Sequence, residues 1–378
     1  MKHTPILWIA ALATSCSAVV HDDATVITGD RNATSIAIVN VNVVPMDADR
    51  VIESQTVLID NGRITSIGPA LSVQVPAGSL RIDARGKYLL PGLIDMHVHI
   101  RSSELDKYLP AGVTSVRNMW GYNELPAIMQ DIASGARKGP RIFSLTAGFD
   151  GSPAQWPQTQ ISDDPEVISA LVDRQFDLGF REIKVYQRLS RAAYDTIVAI
   201  AKRKGMTFAG HLPPLVGLEH VLASGQRSIE HLGGYNTGGQ LDAQIAATIQ
   251  AGTYNCPTIA VQSMLTPSRG DGLRMITGAL HARGAKLLVG TDAGIDVTQA
   301  GSAIHDELEL FVRSGVPPFS ALLGATRTAA EYLGQSGAIG TIGVGKEADL
   351  ILVRSNPLQD IQATRDIDAV IVDGRLLN

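Results

Sequence analysis

Two histidines separated by one residue, His97 and His99, end an apolar run that starts at Pro91. In a β-strand, alternate side chains point to the same face, so both imidazole groups would face one way. Two neutral nitrogen donors on one face are typical of half a binding site for a divalent cation. A chance His-x-His pair on a surface strand is the alternative, and the rest of the chain has to decide between the two.

Four later strand-like runs carry, at or near their ends, residues that can bind a metal. These residues are Lys184, His211, His231 and Asp292, in that order along the chain. A series of strand ends that begins with His97 and continues in this way favours one common site over chance.

Strand-like runs alternate with helical segments through the middle of the chain. The runs cover residues 93–97, 115–119, 141–145, 182–186, 207–211, 228–232, 253–260 and 286–292. Segments between them, such as 192–204 and 305–314, have the spacing of amphipathic helices that cover a parallel sheet. Eight such units predict an α/β fold of the (β/α)8 TIM-barrel type, in which the reactive face lies at the carboxyl ends of the strands. All the candidate ligands would meet at that face.

Both ends of the chain look β-rich. Short apolar runs there are separated by the turn signals Asn61-Gly62 and Asp373-Gly374, which are typical of tight hairpins. We expect residues 35–91 and 342–378 to pair into a small, discontinuous β-sandwich beside a barrel formed by residues 92–341.

Residues 1–18 have the order of a secretory signal peptide, with a basic start, an apolar core and small residues up to Ala18. Residues 13–16 (Ala-Thr-Ser-Cys) resemble a bacterial lipoprotein box, which makes Cys16 a candidate for lipid attachment; cleavage after Ala18 is the alternative. Residues 19–34 lack an apolar period and read as a tether. We therefore expect an exported protein, periplasmic or lipid-anchored to a bacterial membrane. Without Cys16, Cys256 has no partner for an intramolecular disulfide.

The composition suits a well-buried globular enzyme, with 45% hydrophobic and 18% charged residues in a chain of 378. A net charge of −5 without a basic cluster argues against nucleic acid as a partner. A homo-oligomer is compatible with this composition.

Together with residues 61–64 (Asn-Gly-Arg-Ile) and 345–350 (Gly-Lys-Glu-Ala-Asp-Leu), the strand-end residues make the chain resemble the metal-dependent amidohydrolases. It is most similar to the branch with imidazolonepropionase-like proteins and the Xaa-Pro or Xaa-Arg dipeptidases and carboxypeptidases, which carry a carboxylated lysine. The resemblance covers nearly everything after the leader.

This resemblance implies two divalent cations. One would be bound by His97, His99 and Asp292 and the other by His211 and His231, with Lys184 bridging them as a carbamate. A carbamate forms from a neutral amine and carbon dioxide, so the lysine has to be buried with a lowered pKa; an ordinary strand-end lysine paired with a carboxylate is the alternative. Imidazole and carboxylate ligands favour zinc or another first-row cation over calcium or magnesium, and we expect zinc.

The loops that follow the strands supply candidate substrate-binding residues. Tyr186 and Arg188 follow the fourth strand, Tyr235 follows the sixth, and His305 comes after the eighth. Arg188 could pair with a substrate carboxylate. His305, with acidic neighbours at a helix start, fits a capping role equally well. The loop 148–157 is a candidate lid.

The ligand set and the resemblance to this branch together imply a hydrolase that cleaves the amide bond of a dipeptide or an N-acyl amino acid. The nucleophile implied is a metal-bridging hydroxide, whose proton Asp292 accepts and passes to the leaving amine. The same chemistry would serve a cyclic amide, a lactone or a phosphotriester, because only the shape of the pocket separates these substrates. A noncatalytic binding lipoprotein is a further alternative, which the intact Asp292 disfavours.

Overall fold

The computed structural model describes residues 25–295 and 297–377. The first strands are β1 (Val26–Thr28), β2 (Ser35–Val43), β3 (Ile52–Asp60), β4 (Arg63–Pro69), β5 (Leu80–Asp83) and β6 (Tyr88–Pro91). The central strands are β7 (Leu93–Val98), β8 (Val113–Asn118), β9 (Arg141–Ser144), β10 (Phe149–Asp150), β11 (Gln160–Ile161), β12 (Glu182–Val185), β13 (Thr207–Gly210), β14 (Ser228–Glu230) and β15 (Tyr254–Cys256). The last strands are β16 (Leu350–Val353), β17 (Ile367–Val372) and β18 (Arg375–Leu376).

Helices follow most of the central strands. They are α1 (Leu125–Ala133), α2 (Pro165–Asp177), α3 (Arg191–Lys204), α4 (Leu218–Ser224), α5 (Leu241–Ala251), α6 (Ile259–Leu265), α7 (Pro267–Ala282), α8 (Ala303–Arg313), α9 (Pro318–Gly324) and α10 (Arg327–Tyr332). Short 3-10 helices cover Ser102–Lys107, Leu109–Ala111 and Ile361–Arg365. None of the helices in the described part of the chain is long and apolar enough to cross a bilayer.

Strands from both ends of the chain share one sheet. Its order is β1-β5-β2-β6-β16-β17-β18, with β3 and β4 attached to β2. The antiparallel pairing of β6 with β16 joins the two ends, with Pro91 opposite Leu350. Alternate apolar side chains of these strands form a core of their own. The predicted hairpin turn joins β3 to β4, with φ of 48° at Asn61 and 80° at Gly62.

One expectation for the start of the chain needs correction. Val26–Thr28 pairs antiparallel with β5, so this part of the expected tether belongs to the sheet. The reason is a contact between segments distant in sequence, because Val26–Thr28 adds one more strand beside Arg81–Asp83. The predicted signal peptide and Cys16 lie outside the described residues.

The central region has a TIM-barrel-like α/β fold. The strands β7, β8 and β9 form one parallel sheet, and β12 to β15 lie in order within a second one. Backbone hydrogen bonds link the two sheets on both sides. Thr146 N donates to Glu182 O at 2.9 Å, and the segment 286–293 bonds to β15 through Leu288 N and to β7 through Val289 O.

The seventh predicted run was too long. The strand β15 ends at Cys256, and α6 begins at Ile259 instead of the strand continuing to residue 260. The buried carboxylate of Glu307 is the cause, because it accepts hydrogen bonds from the backbone N–H groups of Ile259 and Ala260 at 2.7 and 2.8 Å and so caps the helix.

Candidate metal centre

The strand ends bring the predicted ligands together. His97 lies near the end of β7, Lys184 lies in β12, and His211 and His231 directly follow β13 and β14. The rings of His97 and His231 have centroids 4.8 Å apart, and those of His211 and His231 are 4.6 Å apart. Parallel strands explain this, since their carboxyl ends meet at one edge.

Asp292 lies among these side chains. Its Oδ1 is 3.2 Å from His97 Nε2 and 3.0 Å from His99 Nε2, and its Oδ2 is 3.9 Å from His231 Nδ1. Ligand atoms of His97, His231 and Asp292 lie within 4.8 Å of one another, close enough to share one cation.

Several buried polar atoms in this cluster have no hydrogen-bond partner within the part of the chain that the structure describes. They are His97 Nε2, His211 Nδ1, Lys184 Nζ and Asp292 Oδ1. Leaving a polar atom buried and unsatisfied costs about 1–3 kcal/mol, so such a concentration at one point calls for an explanation. Nitrogen and oxygen donors arranged in this way fit a divalent cation of the first transition row.

Burial keeps most of the nitrogen donors neutral. It lowers the pKa of His231 to about 3 and that of His211 well below its usual value of 6.5. It also lowers the pKa of Lys184 to about 8 from 10.5. Neutral imidazoles are the form that binds metal, and a lysine with a lowered pKa supplies the neutral amine that a carbamate needs.

The carboxylate of Asp292 stays ionised. Burial acts to raise its pKa, but His97 and His231 outweigh this effect and hold the pKa well below its usual value. Burial also acts to lower the pKa of His97, and here Asp292 and Glu230 prevail and raise it. The cluster therefore keeps an anionic oxygen ligand at neutral pH.

Above these residues lies a cavity of about 660 Å³. His99, His211, His231 and Asp292 contribute to its lining. Its walls include the aromatic side chains of Trp120, Trp156 and Tyr186. The ring of Trp120 packs edge-on against that of Tyr186, with centroids 5.6 Å apart, and Trp156 Nε1 donates a hydrogen bond to Tyr186 Oη at 2.7 Å. The expected lid loop thus contributes a wall of the cavity through Trp156 and its neighbours.

The sequence pattern of the Amidohydrolase family matches residues 106–377, which is well over half of the chain. The chain belongs to this family. The family predicted from the strand-end residues is therefore confirmed, although the matched region begins after His97 and His99.

Curated relatives of this amidohydrolase include adenine deaminase 2 of Rhizobium etli, which is 27% identical over 349 residues. That match covers 87% of this chain and 55% of the relative, so the chain spans about half the length of the curated relatives it matches. Among solved structures, an Xaa-Pro dipeptidase with bound methionine in the active site has a TM-score of 0.80 at 24% identity, covering 91% of this chain and 100% of that one. Molinate hydrolase has a TM-score of 0.76 at 21% identity, covering 91% and 94%. These structural likenesses show the fold.

Three of the candidate substrate-binding residues of this amidohydrolase do not line the cavity, whereas Tyr186 does. Arg188 Nη1 donates to Pro153 O at 2.5 Å, so it holds the loop in place. Tyr235 Oη donates to Asn255 Oδ1 in β15 at 2.7 Å. His305 Nδ1 lies 3.0 Å from Thr364 Oγ1. Each of these side chains is held by a structural partner that sequence alone could not identify.

Two buried carboxylates of the site escaped the sequence analysis. Asp95 accepts hydrogen bonds from Thr291 N at 3.0 Å, from Thr291 Oγ1 at 2.6 Å and from His97 N at 3.2 Å, and so fixes β7 against the segment that carries Asp292. Glu230 contacts His97 at Nδ1, the ring nitrogen opposite the one that faces Asp292. The available signals were an acid two positions before His97 and an acid directly before His231.

Proposed function

We propose that this amidohydrolase cleaves the amide bond of a dipeptide or an N-acyl amino acid with the help of divalent cations. The observation that carries this proposal is the convergence of the six predicted side chains beneath one cavity, with unsatisfied donor atoms among them. The ionised Asp292 among these ligands disfavours a noncatalytic binding module, because it can accept a proton from an attacking water.

We infer that the barrel closes through the segment 286–293. Its hydrogen bonds to β7 and β15 support this inference, as do those between Thr146 and β12. Closure would hold the carboxyl ends of all eight strand positions around one axis. We propose two domains, one of residues 92–341 and one of residues 35–91 with 342–378, the latter extended by the strand Val26–Thr28.

The donor set divides between two cations in this proposal. His97, His99 and Asp292 would hold one, His211 and His231 the other, and Lys184 would bridge them as a carbamate. When bound, the cations polarise the carbonyl group of the substrate and lower the pKa of the attacking water. Zinc suits these ligands best.

The chain itself moves the proton. Asp292 is an ionised carboxylate at the floor of the cavity, so it can accept the proton of the attacking water and deliver it to the leaving nitrogen. Tyr186 Oη accepts a hydrogen bond from Trp156, which leaves its own O–H free to donate to a substrate oxygen. The loop that carries Trp156 would shield the reaction from bulk water.

The walls of the cavity favour a substrate with an apolar part and an anionic part. Trp120 and Tyr186 offer aromatic surface beside the proposed ligand His211, whose ring centroid lies 4.0 Å from that of Tyr186. Arg269 lies on the same cavity wall and is exposed, so it can meet a carboxylate. An N-acyl amino acid or a dipeptide has both parts.

A second candidate is the removal of an amino group from a purine-like ring, which the adenine deaminase relatives favour. Flat aromatic walls would suit such a ring as well.

The test is an assay of the purified chain against N-acyl amino acids, Xaa-Pro dipeptides, cyclic amides, lactones, phosphotriesters and adenine. Each substrate is tried with chelator, with zinc or with manganese, and with bicarbonate. We expect cation-dependent release of an amino acid. If adenine alone is turned over, the substrate class is a purine-like ring and the proposed amide substrate is wrong. If no substrate is turned over in a cation-dependent way, the proposal as a whole is refuted.

A further inference from the structure

A fully buried network connects His97 to strand β8. Glu230 Oε2 lies 2.7 Å from His97 Nδ1, and Glu230 Oε1 accepts hydrogen bonds from Arg117 Nη2 at 2.7 Å and from Ser228 Oγ at 2.5 Å. The side chains of Glu230 and His97 are 0% exposed, and that of Arg117 is 1% exposed. Charges buried this deeply persist only when they are paired and hydrogen-bonded.

Arg117 cannot turn away from this network. Its Nε donates to Met96 O at 2.7 Å and its Nη1 donates to Ser228 Oγ at 3.0 Å. Its guanidinium also lies 4.5 Å from the centroid of the Tyr332 ring. Because an arginine in a protein does not lose its proton, Glu230 faces a permanent cation and remains a carboxylate, which can only accept hydrogen bonds.

The hydrogen-bonding role of Glu230 decides the tautomer of His97. A carboxylate oxygen at 2.7 Å requires the hydrogen on Nδ1, which leaves the lone pair on Nε2. That Nε2 faces Asp292 Oδ1 at 3.2 Å and has no hydrogen-bond partner among the described residues. We propose that Arg117 and Glu230 are positioning residues that hold His97 in the one tautomer able to bind a cation through Nε2.

The same network closes a competing site. Ligand atoms of His97, Glu230 and Cys256 also lie within 4.8 Å of one another and could hold an ion. His97 is shared between this group and the group with His231 and Asp292, so its tautomer selects between them. Because Arg117 forms an ion pair with Glu230, its positive charge repels a cation from the group of His97, Glu230 and Cys256. The cation is thereby directed to the side of His97 that faces the cavity.

This inference rests on the proposed function, since it takes His97 as a cation ligand. Glu230→Gln tests it with almost no change in shape. A glutamine has a single acceptor oxygen, which cannot face both Arg117 and His97. Arg117 can only donate, so the amide oxygen of the new glutamine should face it, and the amide NH2 group should then face His97. The imidazole can change its tautomer, so we expect the hydrogen of His97 to move from Nδ1 to Nε2.

Zinc affinity is the first measurement, by competition with a chromophoric chelator. Loss of such a supporting carboxylate typically weakens metal binding by about 10- to 100-fold, and we expect a loss in that range for Glu230→Gln. Asp368→Asn is the matched control, because Asp368 is equally a buried carboxylate, 6% exposed, paired with Lys87 at 3.0 Å and Arg354 at 2.8 Å in the terminal sheet. Its zinc affinity should equal that of the wild type.

Nitrogen NMR on cation-free, histidine-labelled protein reads the tautomer directly. At alkaline pH, where the ring is neutral, we expect the hydrogen of His97 on Nδ1 in the wild type and on Nε2 in Glu230→Gln, with the resonance assigned by its loss in His97→Asn. This readout needs neither turnover nor metal, so it is independent of the proposed hydrolysis. A wild-type hydrogen on Nε2, or an unchanged zinc affinity in Glu230→Gln, would overturn the proposal; should the variant not fold, the wild-type spectrum still decides.

Discussion

Replacing Lys184 by methionine should stabilise the cation-free protein. Lys184 is 0% exposed and its Nζ has no hydrogen-bond partner among the described residues. Methionine has a similar length, no charge and enough flexibility to fill the same space. The substitution removes a buried ammonium group without opening a cavity, so its effect reports the free energy that this charge costs the fold.

The magnitude follows from the pKa. Burial lowers the pKa of Lys184 from 10.5 to about 8. At about 1.4 kcal/mol for each tenfold change in a protonation equilibrium, this corresponds to about 3 kcal/mol. Below pH 8 both the folded and the unfolded chain carry the proton, so the wild type bears the full cost there. Between pH 8 and 10.5 the unfolded chain binds more protons than the folded one, so the stability of the wild type rises with pH.

The assay is urea unfolding of chelator-treated protein in carbon dioxide-free buffer. We expect Lys184→Met to be more stable than the wild type at pH 7, and the difference to shrink by about 3 kcal/mol as the pH approaches 10.5. Lys87→Met is the matched control: Lys87 is 3% exposed but paired with Asp368, so its loss should destabilise the protein. A Lys184→Met variant that is less stable at pH 7, or a difference that does not change with pH, would refute the reasoning.

Three further substitutions probe the site. Asp292→Asn should abolish hydrolysis in a protein that still folds, which circular dichroism would check, and near-normal turnover would exclude its role in proton transfer. Gly294→Ala should lower both stability and zinc content, because the new Cβ would lie 1.8 Å from His99 O at a φ of 101°. Gly78→Ala is its control, since Gly78 has a φ of 85° but open space around it, and this variant should lose only about 1–2 kcal/mol of unfolding free energy in urea. His305→Leu should leave the kinetic constants unchanged and cost about 1 kcal/mol of stability through the lost contact with Thr364, and a changed KM would return His305 to the substrate site.

The parts of the fold that could be predicted are those that repeat. A strand-like run, a helix and a ligand-capable strand end recur along the chain, and each recurrence supports the others. His211 and His231 were therefore placed correctly at strand ends, although each alone fits a turn or a core position. The hairpin at Asn61-Gly62 was predictable for a different reason, since its positive φ values are strongly favoured in those residue types.

What could not be predicted depends on contacts between distant residues. The seventh strand ends early because Glu307, in α8, caps the helix that follows it. His305 does not line the cavity, because it contacts Thr364, which comes from a segment near the C-terminus. Glu230 is a buried charge whose desolvation cost is offset by its ion pair with Arg117. No local sequence pattern predicts an ion pair between residues so far apart in the chain.

Several features of the site cost the fold stability, and this argues for its function. His231 and Asp292 both adopt a left-handed backbone with a φ of 59°, which costs a residue with a side chain about 1–2 kcal/mol. Lys184 adds the cost of a buried ammonium group, and several polar atoms around it have no hydrogen-bond partner in residues 25–295 and 297–377. A sequence selected for stability alone would remove such features, since each can be relieved by one substitution. A divalent cation would relieve the unpartnered atoms together, because it would supply the missing partner for the imidazole nitrogens and for the carboxylate of Asp292. We therefore expect the stability of the protein to rise when a divalent cation binds, because the cation would supply partners for buried atoms that have none among the described residues.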